Sequence, residues 1–204
     1  FRHISADLML SLPDATPEKD KNTAKALCQL PLDHISAYLL KVEQGTLFAG
    51  MKLNLPDEDS TADSYLAVCE TLEENGFAQY EISNFAKPGG KSRHNLKYWT
   101  LEPYVGLGPA AHSFYNGRRF YYPRDLVGFL QNPQKTVFDG DGGNAEEKIA
   151  MALRLTEGIA INELKRLIGE KGTANLEKPM KDWIKNGLAT EKDGRFSLTQ
   201  GIFG

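Results

Sequence analysis

The densest set of chemically able side chains lies between Tyr80 and Trp99. The run Tyr80-Glu81-Ile82-Ser83-Asn84-Phe85-Ala86-Lys87-Pro88-Gly89 leads to Arg93-His94-Asn95-Leu96-Lys97-Tyr98-Trp99. Carboxylate, guanidinium, imidazole, carboxamide and phenol groups stand together here beside aromatic rings. That mixture suits a flat, anionic, aromatic ligand better than a packed core. Arg93 can take a carboxylate bidentately, and His94 or Tyr98 can reach a metal axially. The alternative is structural, with Arg93 paired to Glu81 and His94 capping a turn.

Two further features carry chemistry. Tyr104-Val105-Gly106-Leu107-Gly108-Pro109-Ala110-Ala111-His112-Ser113-Phe114 contains glycines that permit close backbone approach to a ligand. As a nucleotide fingerprint it is incomplete, because no helix pattern opens after it. The other reading is a strand bend with small residues for packing. Asp7 is a lone carboxylate near the middle of an apolar strand pattern. Burial there requires a bonding partner, such as a ligand hydroxyl or a nearby Arg. Cys28 and Cys69 are too few for a disulfide framework or a four-thiolate metal site. Both read as buried free thiols in a reducing compartment.

The elements that must position these groups follow from periodicity and punctuation. Ile4 to Met9 reads as a strand, and Thr16-Pro17 opens a helix running to about Gln29. His34 to Leu40 is apolar at almost every position, which predicts a strand buried on both faces. Strand, helix and strand with short connections make a βαβ unit with parallel strands. After an irregular excursion over 42–55, Pro56-Asp57 opens a helix whose Ala62, Tyr65, Leu66, Cys69 and Leu72 share one face; Asn75-Gly76 ends it. Phe77 to Ile82 is a third strand. Residues 83–123 lose periodicity, as a ligand-lining region or a set of short strands does. Asp125 to Gln131 is a short helix. Asp139-Gly140-Asp141-Gly142-Gly143 reads as a linker. Helices follow over 145–156, 161–168 and 176–186, the last limited by Pro179 to a start near that residue. A hairpin over 189–198 turns at Asp193-Gly194. Three helices and a hairpin suggest a winged-helix-like module.

Composition narrows the function classes. The chain has 204 residues, with 24 Lys or Arg against 27 Asp or Glu and a net charge of −3. That balance gives no footprint for a polyanion. Residues 144–204 hold ten Lys or Arg against nine Asp or Glu, which argues against nucleic acid as a partner of the terminal module. Ten Phe, eight Tyr and two Trp exclude a disordered chain. No apolar run approaches the roughly 18 residues of a membrane span. The chain opens Phe1-Arg2-His3 directly into a strand and closes on Gly201-Ile202-Phe203-Gly204, which leads us to expect a piece of a longer protein.

Five runs carry a family resemblance: DLMLSLPDAT (7–16), DHISAYLLKVEQGTLF (33–48), YEISNFAKPGGKSRHNLKYW (80–99), YVGLGPAAHSF (104–114) and ALRLTEGI (152–159). Together they resemble HemW-type radical SAM proteins, which are similar to oxygen-independent coproporphyrinogen III oxidase and are regarded as heme chaperones. The resemblance runs through essentially the whole chain in order. It implies an α/β fold: the C-terminal half of a radical SAM partial (β/α) barrel with a HemW-specific region over 1–138, a linker over 139–143, and a HemW C-terminal, winged-helix-like α+β module over 144–204.

The resemblance also implies a site. Asp7 matches the strand carboxylate that touches S-adenosylmethionine (SAM). His94, Asn95 and Tyr98 match an HNxxY motif associated with heme, with His94 meeting the iron and Arg93 meeting a propionate. His112 stands where the oxidase makes a backbone contact to SAM. The family's 4Fe–4S cluster uses a CxxxCxxC motif that this sequence lacks, so SAM and cluster chemistry are expected only in a full-length protein. Ser11 and Asp14 replace the glycines of the family's GLPGQT, and Leu47 replaces the proline of GTPF. The implied function is heme binding and transfer to a heme-accepting protein in the cytoplasm. The alternative is oxidative decarboxylation of coproporphyrinogen III, for which the chain lacks cluster ligands. Unpaired strand edges make a homodimer a further expectation.

Overall fold

The structure is a computed structural model that describes residues 3–199. The opening Phe1-Arg2 and the closing Gly201–Gly204 lie outside the described residues. The chain forms two compact units, one running to Ser92 and one from Arg93 to Leu198.

The first unit runs β1 (Ser5–Leu10), α1 (Pro17–Cys28), β2 (His34–Leu39), α2 (Glu58–Glu74), β3 (Ala78–Glu81) and β4 (Asn84–Ala86). The βαβ unit forms as its pattern predicts. β1 and β2 pair in parallel, with Ser5 opposite His34 and Leu10 opposite Leu39. Thr16 caps α1 by accepting from Lys19 N at 3.3 Å, with Pro17 in the first turn. Asp57 caps α2 by accepting from Ser60 N at 2.8 Å. Leu8, Leu10, Ile35, Ala37 and Phe85 project from the sheet onto Val68, Cys69 and Leu72 of α2 and Ala24 of α1.

One expectation is corrected here. β2 is not buried on both faces, since Tyr38 and Leu39 are exposed. The helices cover one face of the sheet, and the other carries Ser5, Asp7 and Met9, all exposed. The third strand, β3, is followed by a short strand within the stretch that lacks periodicity. A tight turn sends the chain back as β4, which pairs antiparallel with both β2 and β3 and gives the order β1-β2-β4-β3.

The second unit begins with α3 (Arg93–Trp99), a helix that the sequence pattern does not announce. β5 (His112–Tyr115), β6 (Arg118–Tyr121) and β7 (Val137–Asp141) form an antiparallel sheet. β5 and β6 join through Asn116-Gly117, both at positive φ, as a type I′ hairpin turn requires. α4 (Leu126–Gln131) lies between β6 and β7, capped by Asp125, which accepts from Gly128 N at 3.0 Å.

The expected linker over 139–143 is in part a strand. Its first three residues belong to β7, paired to β6 with a register shift that accommodates Gly140 at φ +105°. Only Gly142 and Gly143 remain before Asn144, the cap of α5 (Ala145–Ala152).

β8 (Ile159–Ala160), α6 (Ile161–Lys185), β9 (Ala189–Lys192) and β10 (Arg195–Leu198) complete the unit. β10 pairs with β9 and β8 on its two sides. Ile159, Leu164, Ala189 and Phe196 form a second core, joined by Ile149, Leu153, Leu176 and Met180. α6 breaks at Gly169, at φ +73°, so the two expected helices lie within one element. Pro179 sits inside the helix rather than in its first turn, and the carbonyl of Asn175 lacks its usual helical donor.

Ser11 and Asp14 stand where the resembling family has glycine, and both adopt the left-handed backbone, at φ +56° and +61°. Asp14 is tied to Asn54, whose Nδ2 donates to Oδ1 at 2.7 Å and whose carbonyl accepts from Asp14 N at 2.9 Å. Ser11 gains no such support. Its backbone N–H donates to the buried Asp20 carboxylate at 3.1 Å, while its own buried Oγ has no hydrogen-bond partner. Ser11→Gly therefore stabilises the chain by about 1 kcal/mol and raises Tm by about 2–4 °C in thermal unfolding. An unchanged or lowered Tm contradicts this account of the turn.

Candidate functional site

The expected site residues fall in both units. Asp7 belongs to the first; Arg93, His94, Asn95 and Tyr98 belong to α3 in the second.

In the first unit Asp7 is exposed on the uncovered sheet face, opposite Ser36 in the β1–β2 register. It is not the buried strand carboxylate that the apolar pattern suggested, because period-2 alternation turns Leu8 and Leu10 toward the helices and Asp7 away from them. Beside it runs a hydrogen-bonded chain centred on the buried His34. His34 Nδ1 bonds Ser5 Oγ at 2.8 Å, and Nε2 bonds Tyr80 Oη at 2.8 Å. Tyr80 Oη also accepts from Ser92 N at 3.2 Å. Burial pushes the Tyr80 phenol up to about 12. Burial also lowers His34, with the Asp7 carboxylate opposing that shift. Glu81 is fully buried at the end of β3, where Asn84 Nδ2 donates to it.

In the second unit His94 and Tyr98 sit one helical turn apart on an exposed face of α3. Tyr98 Oη and His94 Nε2 are hydrogen-bonded at 3.2 Å, with the rings edge-to-face at 5.2 Å. The Tyr98 ring packs on Tyr104 at 4.6 Å, and Tyr104 on Phe114 at 6.5 Å. Arg119 lies over Phe114 at 5.0 Å and pairs with Glu147. Burial acts to raise the Glu147 carboxyl, but the Gly143 N–H and Arg119 hold it below its ordinary range. Burial pushes the Tyr104 phenol up. Arg93 is exposed at the start of the helix, and His94 is a helical residue rather than a turn cap.

Within the glycine-rich stretch, the close backbone approach at Gly106 is to the chain itself. A Cβ on Gly106 would stand 2.3 Å from the His112 carbonyl oxygen, and Gly106 N donates to Ser113 Oγ at 3.0 Å. His112 stacks on Tyr121 at 5.0 Å, with Nδ1 3.6 Å from Asp139. The cysteines are free, and burial pushes the Cys69 thiol up to about 11. Among the described residues no group of three or more His, Cys, Asp or Glu side chains could hold a metal ion. No helix among them is long and apolar enough to cross a membrane.

Comparison with known proteins adds what the chain is similar to. Residues 144–201 match the HemN C-terminal domain family. The heme chaperone HemW of Bacillus subtilis is 31% identical over 210 residues, covering 98% of this chain and 55% of that protein. Along almost its whole length this chain is similar to the HemW-type proteins. The mitochondrial radical S-adenosyl methionine domain-containing protein 1 of Danio rerio is 42% identical over 113 residues, covering 53% of this chain and 26% of that protein. The structure of coproporphyrinogen III oxidase HemN from Escherichia coli, titled a radical SAM enzyme, aligns with TM-score 0.72 at 17% identity. It covers 96% of this chain and 51% of HemN, so the mixed α/β fold is shared with that enzyme. The chain spans about half the length of the relatives it matches.

Sequence reasoning missed the groups that hold the His94–Tyr98 pair in place. Tyr104, Arg119 and Glu147 come from separate stretches and meet only in three dimensions. His34 reads as one member of an apolar strand, yet both its ring nitrogens are bonded. Its lowered pKa has a consequence for stability. Below about pH 6.5 the unfolded chain protonates His34 while the folded chain does not, so stability falls with pH in that window. Denaturant midpoints measured between pH 7 and 5 drop for the wild type, and His34→Gln flattens that drop. Parallel curves for the two proteins contradict the assignment.

Proposed function

We propose that this chain is a heme-contacting part of a HemW-type protein that binds heme and transfers it to a heme-accepting protein in the cytoplasm. The observation that carries the reading is the His94–Tyr98 pair. An imidazole and a phenol lie one turn apart, exposed, backed by the Tyr104 and Phe114 rings, and bonded to each other. That donor set fits heme, whose iron accepts an axial imidazole or phenolate when bound. In this reading His94 offers Nδ1, the ring nitrogen not bonded to Tyr98, to the iron and Tyr98 orients the ring through its hydroxyl at Nε2. Asn95 contributes from the adjoining side of the helix, and the Arg93 guanidinium meets a propionate. The names of the curated relatives favour this reading over porphyrinogen oxidation.

Asp7 is proposed to contact SAM. Its exposed carboxylate on a sheet face shared with Ser36 suits a ligand hydroxyl or ammonium. The residues present do not fit a 4Fe–4S cluster, because Cys69 is buried and two thiols fall short of a ligand set. We assign no step to that group in this chain. The same proposal treats the first unit as part of a radical SAM partial (β/α) barrel and residues 144–204 as a winged-helix-like module. It also admits a homodimer through β1, an edge strand among the described residues.

A heme titration followed by absorbance tests the reading. Saturable one-to-one binding with a shifted Soret band is the expected result. His94→Ala removes the shift, and Tyr98→Phe weakens binding on the order of tenfold, as loss of an orienting partner does. Equal binding to wild type and His94→Ala overturns the ligand assignment.

A further inference from the structure

We infer that a cavity at the C-terminal end of α3 binds a small organic anion with an apolar body, at a place separate from the proposed heme contact. The cavity measures about 340 Å³ and lies wholly within the second unit. Small-molecule pockets begin at roughly that size, about 300 Å³. Leu101, Ala152, Leu155, Ile159 and Leu167 give it an apolar interior.

Three polar observations define the ligand. Trp99 lines the cavity, and its indole Nε1 is buried with no hydrogen-bond partner. A buried N–H without an acceptor is costly and uncommon, so this one calls for an oxygen that the chain does not supply. The Arg154 guanidinium lies 4.3 Å from the Trp99 ring centroid, and its Nε is likewise buried and unpartnered. The unmet donors therefore stand in positive potential, which selects an anionic acceptor over a neutral one.

The rim points the same way. Lys148 and Arg195 both line the cavity, and neither has a carboxylate within ion-pair distance among the described residues. Arg195 is fixed by its Nε and Nη2, which donate to the carbonyls of Glu157 and Gly158 at 2.8 Å each. Glu163, an acidic residue on the rim, is held by Arg166 at 2.8 Å. A carboxylate accepting from Trp99 Nε1 and facing Lys148, with its hydrocarbon part against Leu155 and Leu167, meets both the unpartnered indole and the unpaired ammonium.

The chain has two tryptophans, so Trp183→Phe leaves Trp99 as the sole indole reporter. In that background the 204-residue chain is titrated with octanoate and, separately, with 1-octanol, following indole emission. Octanoate produces a saturable change and 1-octanol a weaker one. Lys148→Ala, at an exposed position without an ion pair, weakens octanoate about three- to tenfold and leaves 1-octanol unchanged. Ala152→Leu, which fills the cavity, reduces both. The inference fails if octanoate gives no saturable signal or matches 1-octanol and ignores Lys148→Ala. It also fails if binding survives Ala152→Leu in a variant whose far-UV circular dichroism is unchanged.

Discussion

Helices cover only one face of the β1–β2–β4–β3 sheet, and the arrangement of the first unit follows from that constraint. Side chains alternate along a strand, so a sheet covered on one side sorts its residues by face. Leu8, Leu10, Ile35 and Ala37 go to α1 and α2, and burial of these chains is the main stabilising term. The same alternation delivers Asp7 to the uncovered face without any local rule that mentions Asp7. His34 lies at the start of β2, where its two hydrogen bonds join β1 to β3 through Ser5 and Tyr80. A buried imidazole bonded at both nitrogens fixes that corner of the sheet more specifically than an apolar side chain would.

The second unit solves a different problem. α3 has seven residues, too few to be stable by helix propensity in water. Its support is tertiary. Tyr98 packs on Tyr104, Tyr104 is held by a two-way backbone bridge to Phe114, and Phe114 lies under Arg119. Arg119 is held by Glu147, which also accepts from Gly143 N at 2.6 Å. Asn144 accepts from Glu147 N at 2.8 Å, so one glutamate both closes the start of α5 and anchors β6. The ring that backs His94 is thus connected, contact by contact, to the first turn of α5.

What the sequence made legible was the part governed by local rules. Caps at Thr16 and Asp57, the Asn75-Gly76 stop and the Asp193-Gly194 turn all lie where their residues announce them. The βαβ pair follows from its apolar runs. The Asn116-Gly117 hairpin carried an equally clear signal that was masked by the aromatic and Arg residues around it. Other features had no local signal. β7 contains Gly140 and reads as a linker because the register shift that tolerates it depends on β6. Pro179 sits inside α6, and its context comes from the packing of Met180 and Leu176 in the second core. Of the site, residues 93–98 were legible as a cluster of chemistry. Their partners were not, because Tyr104, Arg119 and Glu147 are brought together by folding.

α3 also presents two chemically different faces. His94 and Tyr98 are four residues apart and share one side, while Trp99 lies about 100° further round the helix. One side is exposed and carries acceptor and ligand nitrogens and oxygens; the other is partly buried beneath Arg154. A helix this short cannot rotate or shift at Trp99 without carrying Tyr98 with it, since both residues belong to the same two turns. Packing around the indole is therefore a determinant of where the phenol and imidazole stand. Such coupling requires no pathway longer than one peptide unit, and it makes the geometry of the exposed pair depend on the cavity side of the same helix.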